Sequence, residues 1–107
     1  MTGLTELSSI SDVDAAVQGT TVPQLFVDLV SKHGSNPALH AMNADGGWTD
    51  YTFDDYADRV STAAAGLAAA GLGPGERMLL MLRNVPDFHW FDAAAQFLRA
   101  TPVSIYN

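Results

Sequence analysis

The sequence predicts an α/β fold, a partial doubly wound sheet in the order helix, β-hairpin, helix, strand, helix, strand. Three observations carry this reading. Apolar residues recur at spacings of three and four in three separate stretches. Two short extended runs flank Asp45-Gly46-Gly47. An unbroken apolar run, Met78 to Leu82, is followed beyond a helical stretch by a second extended run, Val103 to Tyr106.

Residues 1–19 read as a flexible lead-in. Ser8, Ser9, Ser11, Asp12 and Asp14 offer little to bury, so this part is expected to fray, with order beginning near Thr20. At Thr21 a capping hydroxyl stands three residues before Gln24, with Pro23 between them where its missing N–H costs nothing. Val22, Leu25, Phe26, Leu29 and Val30 then share one stripe, and Gly34 is expected to close the helix in the left-handed conformation. This predicts a helix over residues 22–33. After Asn36-Pro37, the runs Ala38 to Met42 and Trp48 to Thr52 predict a hairpin about the Asp45-Gly46-Gly47 turn.

Thr52 caps the second helix with Asp55 at its third position. Phe53, Tyr56, Val60, Ala64 and Leu67 form its apolar face, and Asp54, Asp55, Asp58 and Arg59 its polar one. Alanine-rich Ala63 to Ala70 carries this helix to a stop at Gly71, and Gly73-Pro74-Gly75 then forces a turn. Met78 to Leu82 shows no alternation, which predicts a strand covered on both faces. A third helix follows Pro86. Projected at about 100° per residue, its Phe88, Trp90, Phe91, Ala94, Ala95, Phe97 and Leu98 cover about half the circumference, so it wants more than one partner. Pro102 marks a break before the last strand, and strand, helix and strand are expected to join by a right-handed crossover. No internal repeat or linker interrupts residues 20–107, so one unit is expected.

Composition narrows the function classes. A chain of 107 residues that is 48% hydrophobic and 16% charged can build one core. Five basic against twelve acidic residues give a net charge of −7, which repels nucleic acid. With no cysteine there is neither disulfide nor thiolate metal site. No signal-like or membrane-spanning apolar run is present, and a cytoplasmic location is the default expectation.

The order of punctuating residues carries a resemblance. Thr21-Val22-Pro23 with Phe26, Asn36-Pro37-Ala38-Leu39, Trp48, and Tyr51-Thr52-Phe53-Asp54-Asp55-Tyr56 are followed by Ala65-Gly66-Leu67 and Gly71-Leu72. Then come Gly73-Pro74-Gly75-Glu76-Arg77, Leu82-Arg83-Asn84-Val85-Pro86-Asp87 and Thr101-Pro102-Val103-Ser104-Ile105-Tyr106-Asn107. In this order they resemble the start of the large domain of adenylate-forming (AMP-binding) acyl-CoA synthetases. The closing Pro102 to Asn107 is most similar to the long-chain fatty-acid–CoA ligase branch. Ala100-Thr101 stands where the family often has Gly-Ala, and Asp87 replaces its usual glutamate.

The resemblance implies a lineage that uses ATP, Mg2+ and coenzyme A to adenylate a carboxylate and then form a thioester. It also implies that the phosphate loop, the adenine motif, the ribose-binding aspartate and the catalytic lysine lie beyond Asn107. On that basis no catalytic, cofactor-binding or metal residue is expected here, no cofactor is expected for this segment, and the chain alone is expected to be inactive.

Each tempting motif has a plainer explanation. Gly71-Leu72-Gly73-Pro74-Gly75 closes a helix and precedes a strand, the reverse of a phosphate-cradling loop. His33, His40 and His89 fall on separate elements without metal-ligand spacing; His33 suits a helix C-terminus and His89 the polar arc of the third helix. Asp54, Asp55 and Asp58 complement the helix dipole. Ser61 and Ser104 have no base nearby in sequence. The alternative function is a self-association or interaction module. In either case the apolar face around Phe88, Trp90, Phe91 and Phe97 is expected to meet a second copy or the remainder of a synthetase. A free-standing nucleotide-binding domain is disfavoured by the reversed glycine loop.

Overall fold

The structure is a computed structural model and describes residues 9–105. Its elements are α1 (Ile10–Val17), α2 (Val22–His33), β1 (Pro37–Met42), β2 (Trp48–Thr52), α3 (Phe53–Ala69), β3 (Arg77–Leu80), α4 (Pro86–Phe97) and β4 (Thr101–Ser104). The α/β class and the order from α2 onward are as the sequence predicts. Among the described residues the strands form two separate pairs, antiparallel β1–β2 and parallel β3–β4.

Regular structure begins earlier than expected. Ser9 caps α1 by accepting from the Asp12 N–H at 3.2 Å, although no residue of that helix is buried. The first eight residues of the lead-in lie outside the described residues.

Thr21 Oγ1 accepts from Gln24 N at 3.3 Å and starts α2, with Pro23 in its first turn. Gly34 does not take the left-handed conformation expected of it; its φ is −53°. It lies instead beside the start of α3, against the exposed and flexible Asp54 side chain. Its carbonyl accepts from Asp54 N at 2.9 Å, and a Cβ placed there would lie 2.7 Å from Asp54 Cγ. With Asn36 O accepting from Phe53 N at 3.1 Å, this holds the end of α2 against the start of α3.

In the hairpin, Gly46 takes φ +88° and Gly47 N donates to Asp45 Oδ1 at 2.8 Å. Helix α3 begins with a full capping box, Asp55 N to Thr52 Oγ1 at 3.1 Å and Thr52 N to Asp55 Oδ2 at 2.9 Å. It ends in a Schellman motif: Gly71, at φ +103°, donates to Ala68 O, and Leu72 donates to Leu67 O, both at 3.0 Å.

Helix α4 lies against α3 and beneath β3–β4. Ala94 and Ala95 are fully hidden, and Val60, Leu80, Trp90 and Ala100 complete the buried set. Around them runs a ladder of rings. Trp90 meets Tyr51 at 5.3 Å and Tyr56 at 5.1 Å, Tyr56 meets Phe26 at 4.8 Å, and Phe26 meets Phe97 at 5.9 Å. These tilted and edge-on geometries suit aromatic quadrupoles.

Among the described residues the expected double cover on the apolar strand is not present. Strand β3 stops at Leu80, and Leu79 and Met81 are 68% and 57% exposed. One face rests on α4; the other is open.

Strand β4 begins at Thr101 and so contains Pro102, which the sequence reading placed at a break. Thr101 N and Ile105 N donate to Glu76 O and Leu80 O, so alternate N–H groups face β3. Pro102 falls on the other alternation, where its missing donor costs no ladder bond. Tyr106, the last residue of the expected strand, lies outside the described residues.

Between α4 and β4 the chain turns at Arg99, whose φ is +60°. Arg99 N donates to Gln96 O at 3.1 Å and Ala100 N to Ala95 O at 3.0 Å, a second Schellman motif without its usual glycine. The Arg99 carbonyl also accepts from Gly75 N at 3.0 Å, pinning the Gly73-Pro74-Gly75 turn to the end of α4.

Two predictions follow from these positions. A side chain in the left-handed region costs about 1 kcal/mol relative to glycine, so Arg99→Gly should raise the urea-unfolding free energy by about that much and Arg99→Val should lower it. Burial, reinforced by the Asp92 carboxylate, raises the Tyr56 phenol above its ordinary pKa of 10.0. The unfolded chain therefore ionises first. The associated stability is complete below pH 10 and is lost as pH rises through the folded value. Thermal melts from about pH 9 to 11.5 should show an alkaline decline that is shallower in Tyr56→Phe than in the parent.

Candidate functional site

The residues singled out by sequence are dispersed. His33 closes α2, its Nδ1 3.4 Å from Asn36 Nδ2. His40, on β1, pairs with Asp50 of β2 and stacks flat on Trp48, with ring centroids 4.4 Å apart. His89 is not on an exposed polar arc of α4; it is half-buried, with edge contacts to Tyr56 and Phe88. Among the described residues no three His, Asp or Glu gather into a group able to hold a metal ion.

Asp54, Asp55 and Asp58 are exposed on the first turns of α3. Asp55 belongs to the capping box, and the Asp58 carbonyl accepts from Thr62 Oγ1 at 3.1 Å. Ser61 lies in an apolar groove and Ser104 is exposed on β4, so neither hydroxyl is set beside a base in the described structure. The glycine loop closes α3 and leads into β3, an order that leaves no helix N-terminus facing it.

The aromatic face of α4 divides. Trp90 is 6% exposed and belongs to the core, so it cannot form part of a partner surface as the sequence suggested. Phe88 and Phe91 are half-buried, and Phe97, the most open of the four, is 37% exposed.

Two surface features do gather side chains. A groove of about 280 Å³ separates the hairpin from the start of α4, with His40, Trp48, Asn84, Pro86 and His89 on its walls. Sequence reading did not bring these together, although the register held the signal. A hairpin that pairs Met42 with Trp48 also pairs His40 with Asp50, and leaves His40 and Trp48 as diagonal neighbours on one face. The second feature is the bare face of β3 with the loop beyond it: Leu79, Met81, Leu82, Val85 and Ile105 are all exposed. This surface can take an apolar layer. The groove holds an imidazole, His40, paired with the Asp50 carboxylate, but no hydroxyl or thiol side chain on its walls.

The family described as AMP-binding enzyme matches residues 26–107. An uncharacterised protein of Mycobacterium tuberculosis is 39% identical over 72 residues, 67% of this chain and 41% of that protein. The long-chain-fatty-acid–CoA ligase heimdall of Drosophila melanogaster is 33% identical over 100 residues, 91% of this chain and 14% of that enzyme. The chain thus spans under half the length of these relatives.

Among solved structures, the N-terminal subdomain of NpsA from Klebsiella oxytoca matches at a TM-score of 0.71 and 21% identity, over 79% of this chain and 21% of that one. The fatty acid AMP ligase from Legionella pneumophila matches at 0.75 and 17% identity, over 86% of this chain and 16% of that one. At such identities the structural likeness is one of fold. The family match across most of the sequence, on a backbone that superposes on those enzymes, identifies the chain as a member of the AMP-binding enzyme family.

Proposed function

We propose that residues 20–107 form the opening scaffold of the large domain of a long-chain fatty-acid–CoA ligase, supporting a site whose reacting groups lie elsewhere. The uncovered face of the parallel β3–β4 pair carries this reading. Parallel strands are stable when both faces are covered, and here Leu79 and Met81 face solvent. The 33% identity to the fly fatty-acid–CoA ligase over 100 residues supports the choice of branch.

In this reading the partner is the remainder of such a domain, seated on β3 and the open end of α4. Binding of ATP, Mg2+ and coenzyme A then belongs to that remainder, and no side chain of the present residues is catalytic. Purified 107-residue chain should give no fatty-acid-dependent ATP–pyrophosphate exchange above a buffer blank; exchange by this chain alone would sink the proposal.

The same bare face supports a second reading, association of the chain with its own copies. If copies meet there, light scattering at high concentration should report masses above that of the 11.4 kDa chain. Leu79→Glu should return the mass to that of a monomer while changing the melting free energy by no more than about 0.5 kcal/mol, as expected of an exposed site.

A further inference from the structure

Helix α1 has a formed N-cap, yet none of its eight residues is buried. Helices this short are marginal in water by themselves, so its stability calls for a surface within reach. Projected at about 100° per residue, Ile10, Val13 and Val17 fall within an arc of roughly 60°. They are 83%, 43% and 46% exposed. Ala15 faces the opposite way on the same wheel.

A matching surface lies on the adjoining helix. Between α2 and α3 runs an apolar groove of about 340 Å³, lined chiefly by Phe26, Val30, Val60, Ala64 and Phe97, with Ser61 at its side. Val22, Leu25 and Val27 of α2 add exposed apolar surface along the same helix.

The connection permits the two to meet. Gln18 to Thr21 separate α1 from α2, a length within the range of about two to five residues that joins antiparallel helices. Gly19, at φ +73°, supplies a joint that other residues resist. At a rise of about 1.5 Å per residue, Ile10 to Val17 spans roughly 10.5 Å and Val22 to Val30 roughly 12 Å. Folding back at Gly19 therefore brings Val17 level with the start of α2, Val13 level with Phe26 and Ile10 level with Val30.

We propose that α1 is a strap that hinges at Gly19, lies antiparallel along α2 and closes the groove between α2 and α3 with Ile10, Val13 and Val17. This is independent of the adenylation chemistry, since it concerns only how the chain covers its own apolar surface. It differs from association of copies because the contact is made within one chain.

The absence of native cysteine makes the test direct. The full 107-residue chain carrying Val13→Cys and Ser61→Cys is treated at low concentration with a short bifunctional thiol reagent. Its rate is compared with that of Ala15→Cys with Ser61→Cys. All three positions are exposed, so the substitutions leave the core untouched. Docking raises the effective concentration of one pair over the other, so intrachain cross-linking of the Val13 pair should be about tenfold faster. Adding Ile10→Asp and Val17→Asp should bring the two rates together. Equal rates in the parent background, or cross-links found only between chains, would overturn the proposal.

Discussion

The packing of Trp90 between Tyr51 and Tyr56 is the contact on which the other elements depend. It joins β2, α3 and α4 at one point, and through Tyr56 and Phe26 it reaches α2. Behind it, Ala94 and Ala95 let α4 approach without a gap, and Ala100 fixes the start of β4. Large rings therefore set the spacing on one side and methyl groups close it on the other. In a core with so few fully hidden residues, truncating the indole would remove roughly 3–5 kcal/mol, comparable to the whole stability of a small domain.

Around that core the chain is under-filled for its composition. Its radius of gyration is 15.4 Å, against about 13 Å for a compact domain of this length. The excess is not evenly distributed. Apolar side chains stand exposed along α1, along the outer side of α2, and on the bare face of β3. The polar groups, by contrast, are satisfied locally. No side-chain donor or acceptor of the described residues is buried without a partner. The hydrogen bonds close within elements and across their junctions, while much hydrophobic surface is left to be covered by something further.

The same division accounts for the chemistry. Carboxylates such as Asp55 sit at helix starts, where the dipole and free N–H groups use them, while the histidines are dispersed: His33 meets an amide, His40 a carboxylate and an indole, and His89 two rings. Membership of the AMP-binding family reaches this chain over residues 26–107, which hold its backbone architecture from α2 onward and the order of its turns. No helix among the described residues is long and apolar enough to cross a membrane.

Local chemistry wrote much of this into the sequence. Thr21, the capping box of Thr52 and Asp55, the hairpin turn, and the stop at Gly71 each act over three to five residues, so their outcomes could be read without knowing the fold. Tertiary proximity decided the remainder. Gly34 has an ordinary helical backbone angle and meets the start of α3 through the flexible Asp54 side chain; Arg99 holds a left-handed turn because the turn before β3 and the end of α4 fix both of its sides. The pairing that puts His40 on Trp48, the burial of Trp90, the half-burial of His89 and the exposure of Leu79 follow from which surfaces meet. Periodicity names the apolar face of an element. Only packing determines whether that face finds a partner within the chain, because burial depends on residues far apart in sequence.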